Sequence, residues 1–219
     1  QFDDLDPVYG IGVDQKGQVV SCVRALQTTG PHKLSDVFSD ILDGEPPLRS
    51  PTLWESTRFC VDTKRLSSAK GGQGSISHAT CELLISALEY ARKAGVADIV
   101  TVIDPIMDRI LKRTDNAPYD YVGRQVAMGK VPAIAALLDC TEERIARVRR
   151  FAGIDHEVFL SEDEALEWQS ANVPTRMPDS LRDYCEAQIA TATTDRERAA
   201  AEALRERLEN VLPRDICKA

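Results

Sequence analysis

Positive charge, histidine and aromatic residues are all scarce in this sequence of 219 residues. Against 35 Asp and Glu stand 27 Lys and Arg, a formal net charge of −8. That balance argues against broad nucleic-acid binding. Only three histidines occur, and none of the six cysteines is spaced as C-x-x-C, so zinc ribbons and fingers are excluded. No metal-spaced cluster and no Ser-His-Asp order stands out. No apolar run approaches the ~18 residues that span a membrane, and nothing visible reads as a signal peptide. The expectation is a cytoplasmic protein with no membrane span, no nucleic-acid partner, no metal and no cofactor. Cys22, Cys60, Cys81 and Cys140 lie in apolar patterns, as buried free thiols of a reducing compartment do.

What is present is ordinary for a globular chain: 43% hydrophobic and 28% charged residues, enough for one domain and an appendage. Residues 9–13 and 18–26 read as paired strands turning through Asp14-Gln15-Lys16-Gly17. Leu34, Val37, Phe38, Ile41 and Leu42 recur at helical spacing, which predicts a helix over 33–43. A strand over 55–62 follows, then a polar, glycine-rich mobile loop over 67–75. A helix is expected over 77–94, a strong strand over 99–103, and a helix opening at Asp104-Pro105. Strands follow over 119–122 and 131–138, the second apolar on both faces and so central in a sheet. Thr141 caps a basic helix. Strands alternating with helices make the fold α/β, a mixed sheet flanked by helices. After residue 154 the chain turns strongly charged, with capping boxes at Ser161–Glu164 and Thr194–Glu197. The domains are therefore 1–154 and a helical C-terminal extension over 155–219, which packs on the domain or pairs in a dimer.

The chemistry gathers around residues 53–62. Glu55 and Arg58 sit among Trp54, Phe59 and aliphatic neighbours, where an unpaired charge is costly. They pair with each other, pair elsewhere in the chain, or meet a charged ligand. A structural ion pair beside a turn satisfies the same pattern. Upstream, strand alternation sets Arg24 on the face of Val20, Cys22 and Leu26. An arginine there needs carboxylates, and Asp3, Asp6 and Glu55 are the candidates.

The ordered stretches FDDLD, VVSCVRALQTTGPHKLSDVF and LWESTRFCVD resemble the bacterial acyl-homoserine-lactone synthases, the LuxI-type autoinducer synthases. That family carries an F-D-x-x-D stretch, an Arg followed by T-x-P and L-x-x-x-F, and an E-S-x-R-F. The resemblance covers roughly residues 1–140. It implies an acyltransferase sheet like that of the GNAT acetyltransferases, an analogy of fold. It also implies a reaction in which the amine of S-adenosylmethionine, a substrate rather than a cofactor, attacks the fatty thioester of an acyl carrier protein. Lactone closure then releases methylthioadenosine, and the product is a quorum-sensing signal.

On the resembling positions, Glu55 is the expected general base and Arg58 an orienting cation. Asp3 and Asp6 anchor the substrate's cationic end, Arg24 organises the acids or contacts the substrate carboxylate directly, and Thr101 meets a 3-oxo group or bonds locally. Val100, Val102, Ile103, Met107 and Leu84 are acyl-tunnel candidates that serve equally as plain core. Docking of an acidic carrier protein is assigned to Arg109, Lys112 and Arg113 and to Arg144, Arg147 and Arg150, all of which fit a solvated face as well. Two departures stand out. The chain starts inside the acidic motif without a methionine, and the family's preceding segment, with an arginine, a phenylalanine and a tryptophan over the S-adenosylmethionine pocket, is absent from it, as in a fragment. The family's R-x-G-W is replaced by Arg113-Thr114-Asp115-Asn116.

Two rivals remain. One is a GNAT-type N-acyltransferase using acyl-CoA, but Ala69 stands where its pyrophosphate clamp before Gly72-Gln73-Gly74 needs Gln or Arg. The other is a non-catalytic ligand-binding relative, which the intact set of Asp3, Asp6, Arg24, Glu55 and Arg58 argues against.

Overall fold

The computed structural model describes residues 2, 5–67, 73–172, 181–192 and 194–211. It divides into two compact units, Gln1–Leu160 and Ser161–Ala219. Its centre is a mixed sheet of six strands: β1 (Val8–Val13), β2 (Val19–Gln27), β3 (Leu53–Val61), β4 (Asp98–Ile103), β5 (Asp120–Met128) and β6 (Val131–Asp139). Their spatial order is β1-β2-β3-β4-β6-β5. Every neighbouring pair is antiparallel except β3 with β4, which is parallel. A parallel pair needs a crossover of helical length; α2 (Thr63–Ser67) and α3 (Gln73–Lys93) lie on it.

The two faces of the sheet bury different residues. On one, α3, α4 (Pro105–Arg113) and α5 (Glu142–Ala152) pack Ile85, Leu88, Leu111 and Val148 against Ile99, Ile103, Ala136 and Leu138. On the other, Leu34, Ile41 and Leu42 cover Leu53, Val100, Ala133 and Ala135. Alternation along β4 and β6 supplies both faces, and β6 lies between β4 and β5, as its two apolar faces require. α4 starts where expected: Asp104 accepts from the backbone N–H groups of Ile106 and Met107, and proline fills the first turn.

Several elements differ from expectation. The helix over 33–43 is broken into α1 (Lys33–Asp36) and a 3-10 turn (Ser39–Leu42). Phe38 leaves helical geometry at φ −111° and ψ 24°, and Val37, expected inside, is 53% exposed. The break lets the 3-10 turn settle on β5. Gly123 has φ +66°, and a side-chain carbon there would come within 1.9 Å of the Ile41 carbonyl oxygen. Only glycine tolerates both the close approach and the dihedral. β5 runs on past this irregular stretch to Met128 instead of ending at residue 122. α3 begins at Gln73, within the stretch read as a loop, and the rest of that loop lies partly outside the described residues. Cys60 is exposed and Cys22 only partly buried, contrary to expectation, while Cys81 and Cys140 are buried free thiols. Burial pushes the Cys140 thiol up to about 12, so it stays protonated and inert.

The second unit is helical, with α6 (Glu162–Asn172), α7 (Leu181–Thr191) and α8 (Asp195–Val211). Both capping boxes form: Glu164 accepts from Ser161 N, and Glu197 from Thr194 N. α7, which the sequence pattern did not reveal, buries Cys185. Among the described residues no helix is long and apolar enough to cross a membrane.

The end of the sheet is locked to α5 by Arg144, which is 1% exposed. Its guanidinium donates to Asp139 at 2.6 and 3.0 Å, to Asn116 Oδ1 at 2.9 Å and to the Ala117 carbonyl at 2.8 Å. Burial raises the Asp139 pKa, but hydrogen bonds from Arg144 and Thr141 outweigh it and hold the carboxyl down at about 2. A carboxyl held below its ordinary 3.8 stabilises the fold above that value and loses the contribution as pH falls towards about 2. Asp139→Asn should therefore flatten the acid limb of stability against pH. Chemical denaturation at neutral pH and near pH 2 should show the wild type losing on the order of 2 kcal/mol more than the variant.

Candidate active site

The buried charges sit on the face of the sheet that α1 covers. Glu55, on β3, is 0% exposed. Its two oxygens accept from the backbone N–H groups of Lys33 at 2.9 Å and Leu34 at 2.6 Å. These are first-turn donors of α1, which have no partner within the helix. Among the described residues the partner of Glu55 is thus backbone and not a guanidinium, so of the alternatives read from the sequence it is pairing elsewhere in the chain that the fold uses. The preceding loop is braced so that α1 starts there. Thr28, fully buried, donates to the Leu53 carbonyl at 2.7 Å, and Arg49 donates to the Gly30 carbonyl at 2.5 Å. His32, also fully buried, sets Nδ1 3.0 Å from the same Gly30 oxygen.

Arg24 is 0% exposed, and its Nε donates to Thr57 Oγ1 at 3.0 Å. The strand register sets Arg24 opposite Thr57 and Leu26 opposite Glu55, so Arg24, Leu26, Glu55 and Thr57 share one face. Sequence reading overlooked Thr57, although its place two residues after Glu55 on a strand puts it on that face. The register shifts between Cys22 and Arg24. Within that irregularity Arg58 takes φ +54° and stands exposed, 5.9 Å from the centre of the Tyr9 ring on β1. A non-glycine residue with positive φ here is backbone strain at a bulge; it turns Arg58 away from the interior its sequence neighbours suggest. Asp6 also has positive φ, 49°, and is exposed. Asp3 lies outside the described residues.

The parallel ladder between β3 and β4 is short. It pairs Leu53 with Asp98 and ends at Ser56 with Thr101. Beyond that rung β3 pairs only with β2, and β4 only with β6. The sheet therefore splits one residue past Glu55, with Thr101 on the last rung. Alternation sets Thr101 with Ile99 and Ile103 on the α3 face, opposite to Glu55. The expected tunnel residues likewise fall on two faces: Leu84, Ile103 and Met107 towards α3, and Val100 and Val102 towards α1. A shallow cavity of about 350 Å³ lies elsewhere, among Glu89, Arg92, Lys93, Glu142 and Arg149. Its charged walls suit an acyl chain poorly.

The expected docking cations are scattered in their surroundings. Arg144 is buried in the network with Asp139 and cannot present its charge, which removes it from the set. Lys112 pairs with Asp108 at 2.6 Å. Burial raises the Asp108 pKa, but hydrogen bonds from Lys112 and Tyr121 lower it overall. Arg147 lies 3.8 Å from the Asp115 carboxylate. Arg109 and Arg150 are exposed, and Arg113 at the end of α4 is also exposed. Ala69 and Gly72, of the nucleotide-clamp comparison, lie outside the described residues.

A family model described as "Autoinducer synthase" matches residues 1–148. A probable acyl-homoserine-lactone synthase of Sinorhizobium fredii is 34% identical over 148 residues, 68% of this chain and 70% of that protein. An acyl-homoserine-lactone synthase of Agrobacterium fabrum is 35% identical over 138 residues, 63% of this chain and 64% of that one. Among solved structures, the CoA-dependent acyl-homoserine lactone synthase MesI is 28% identical with a TM-score of 0.60, over 72% of this chain and 74% of its own.

Thr57→Val tests the role of the Arg24 bond, since valine keeps the strand-compatible shape and removes the acceptor. Leaving one donor of a buried guanidinium unmatched should cost about 1.5–3 kcal/mol in chemical denaturation.

Proposed function

The chain belongs to the autoinducer synthase family and is an acyltransferase of the acyl-homoserine-lactone synthase type; we propose that its split sheet joins the amine of S-adenosylmethionine to a carrier-protein-bound acyl chain. The observation that carries this reading is the buried Glu55 carboxylate, fixed by the start of α1 one residue before β3 and β4 part. A carboxylate has about four acceptor sites. The two backbone bonds leave room for a further proton donor, so Glu55 takes the proton that the substrate ammonium must lose before it attacks. The amine nitrogen then bonds to the thioester carbonyl carbon and the thiol leaves. In the second step the substrate's own carboxylate displaces the sulfonium carbon, closing the lactone and releasing methylthioadenosine.

The other residues divide the binding. Arg58, exposed on its bulge, orients the substrate carboxylate. Arg24 holds Thr57 and with it the shape of the face on which Glu55 lies, while Asp3 and Asp6 attract the cationic end of the substrate. Thr101, on the last rung of the split, offers its hydroxyl to a 3-oxo group of the acyl chain. Arg109, Arg113 and Arg150 remain for carrier-protein docking.

A second reading of the donor, acyl-CoA, rests on two observations. MesI is described as CoA-dependent, and Arg144, Lys112 and Arg147 already face carboxylates of this chain. Methylthioadenosine release measured with purified protein, S-adenosylmethionine and the same acyl chain on carrier protein or on CoA separates the readings. The expected result is release only when S-adenosylmethionine and a thioester are both present, with higher kcat/KM for the carrier protein. Higher kcat/KM for CoA would select the second donor. Equal turnover with acetyl-CoA and an unrelated amine would overturn the reading altogether.

A further inference from the structure

The spacing of three histidines along the sequence gave no sign of a metal site, yet the fold brings two of them to one carboxylate. His78 and Glu82 are one turn apart on α3, and His156 lies in the segment that follows α5. His78 Nε2 is 3.5 Å from Glu82 Oε1, and His156 Nε2 is 3.6 Å from the same oxygen. One donor atom from each residue lies within 4.8 Å of the other two. A zinc ion about 2.0–2.1 Å from tetrahedral ligands keeps those atoms about 3.3–3.4 Å apart. The three side chains thus need only small rotations to close on a cation. With side-chain exposures of 45%, 40% and 53%, they leave water free access to the remaining position.

The third ligand is also held in place by a separate set of bonds. Arg149 on α5 grips Glu89 of α3 at 2.6 and 2.9 Å. The same guanidinium donates to the His156 carbonyl at 2.8 Å and the Ile154 carbonyl at 3.3 Å. The backbone that carries His156 is therefore tied to α3, the helix that carries the other two ligands. Asp155 lies 3.9 Å from His156 Nδ1, too long for a hydrogen bond. His156 also lies beyond the segment that matches the family, which ends at residue 148.

We propose that His78, Glu82 and His156 form a divalent-cation site of the zinc class, two imidazoles, one carboxylate and water, which fastens the segment after α5 to α3. Imidazole and carboxylate together suit zinc and its neighbours better than calcium or magnesium, which prefer all-oxygen shells. Without a cation the arrangement is an exposed polar cluster, and such clusters contribute little.

The test is zinc titration of tag-free protein by calorimetry, with cobalt as a visible-absorption probe. The expected result is one saturable equivalent and a raised Tm. Even the loss of an outer-shell partner costs a metal site about 10- to 100-fold in affinity. His78→Ala and His156→Ala should each therefore weaken binding by ~100-fold or more while leaving the metal-free Tm close to wild type. Cys60→Ser removes an exposed thiol and should change nothing. Absence of saturable zinc binding would overturn the proposal, as would binding that survives both histidine variants or disappears with Cys60→Ser.

Discussion

Two hydrogen bonds from the first turn of α1 to the Glu55 carboxylate hold the first unit in its working arrangement. They bring a four-residue helix onto a sheet that it is too short to grip by apolar area alone. They also let a charged group sit fully buried, because each oxygen meets a backbone donor whose own partner the helix cannot supply. The brace from Thr28 and Arg49 brings the loop to the point where those donors can meet it. Once α1 is there, Leu34 closes the second core and the 3-10 turn can rest on Gly123. Fold and site thus share one contact: the carboxylate that orders α1 is the one assigned to the substrate's proton.

The sheet was largely legible in the sequence, because period-two alternation and turn residues are local signals. Strands β1, β2, β4 and β6, the start of α4 at Asp104-Pro105 and the Thr141 cap all lie close to where the pattern set them. Legibility failed where a tertiary contact overrides local spacing. Apolar positions over 33–43 fit one helix, but the chain breaks at Phe38 to seat Ile41 against Gly123. Charged residues were harder still. Local chemistry asks that Glu55 and Arg24 be met, yet the sequence does not say that a backbone turn meets Glu55 or that Thr57 is one partner of Arg24. Arg144 read as a surface cation by composition and is an interior one by contact with Asp139.

The same gap between spacing and space explains why the group of His78, Glu82 and His156 is not legible in the sequence. His78 and Glu82 are separated by one helical turn, a weak signal found on many solvated faces. Their third companion is far away in sequence, and only the packing of α5 on α3, with Arg149 and Glu89 between them, brings it near. Charge in this chain is thus used mainly for internal fastening: at the α1 start, at the sheet end and between α3 and α5. Of the six cations expected to recruit an acyl donor, Arg109, Arg113 and Arg150 are the exposed ones for which no carboxylate partner is described.

The claim that one carboxylate serves both fold and chemistry is tested most directly by Glu55→Gln, with a melting curve and a single-turnover assay of methylthioadenosine release on the same preparation. Glutamine keeps the shape and a single carbonyl acceptor, so the protein should still fold, with a lowered Tm. Turnover in that folded protein should fall by ~10²- to 10⁴-fold, the range for loss of a general base. A lowered Tm with turnover near that of the wild type would contradict the account and leave Glu55 as the anchor of α1 alone.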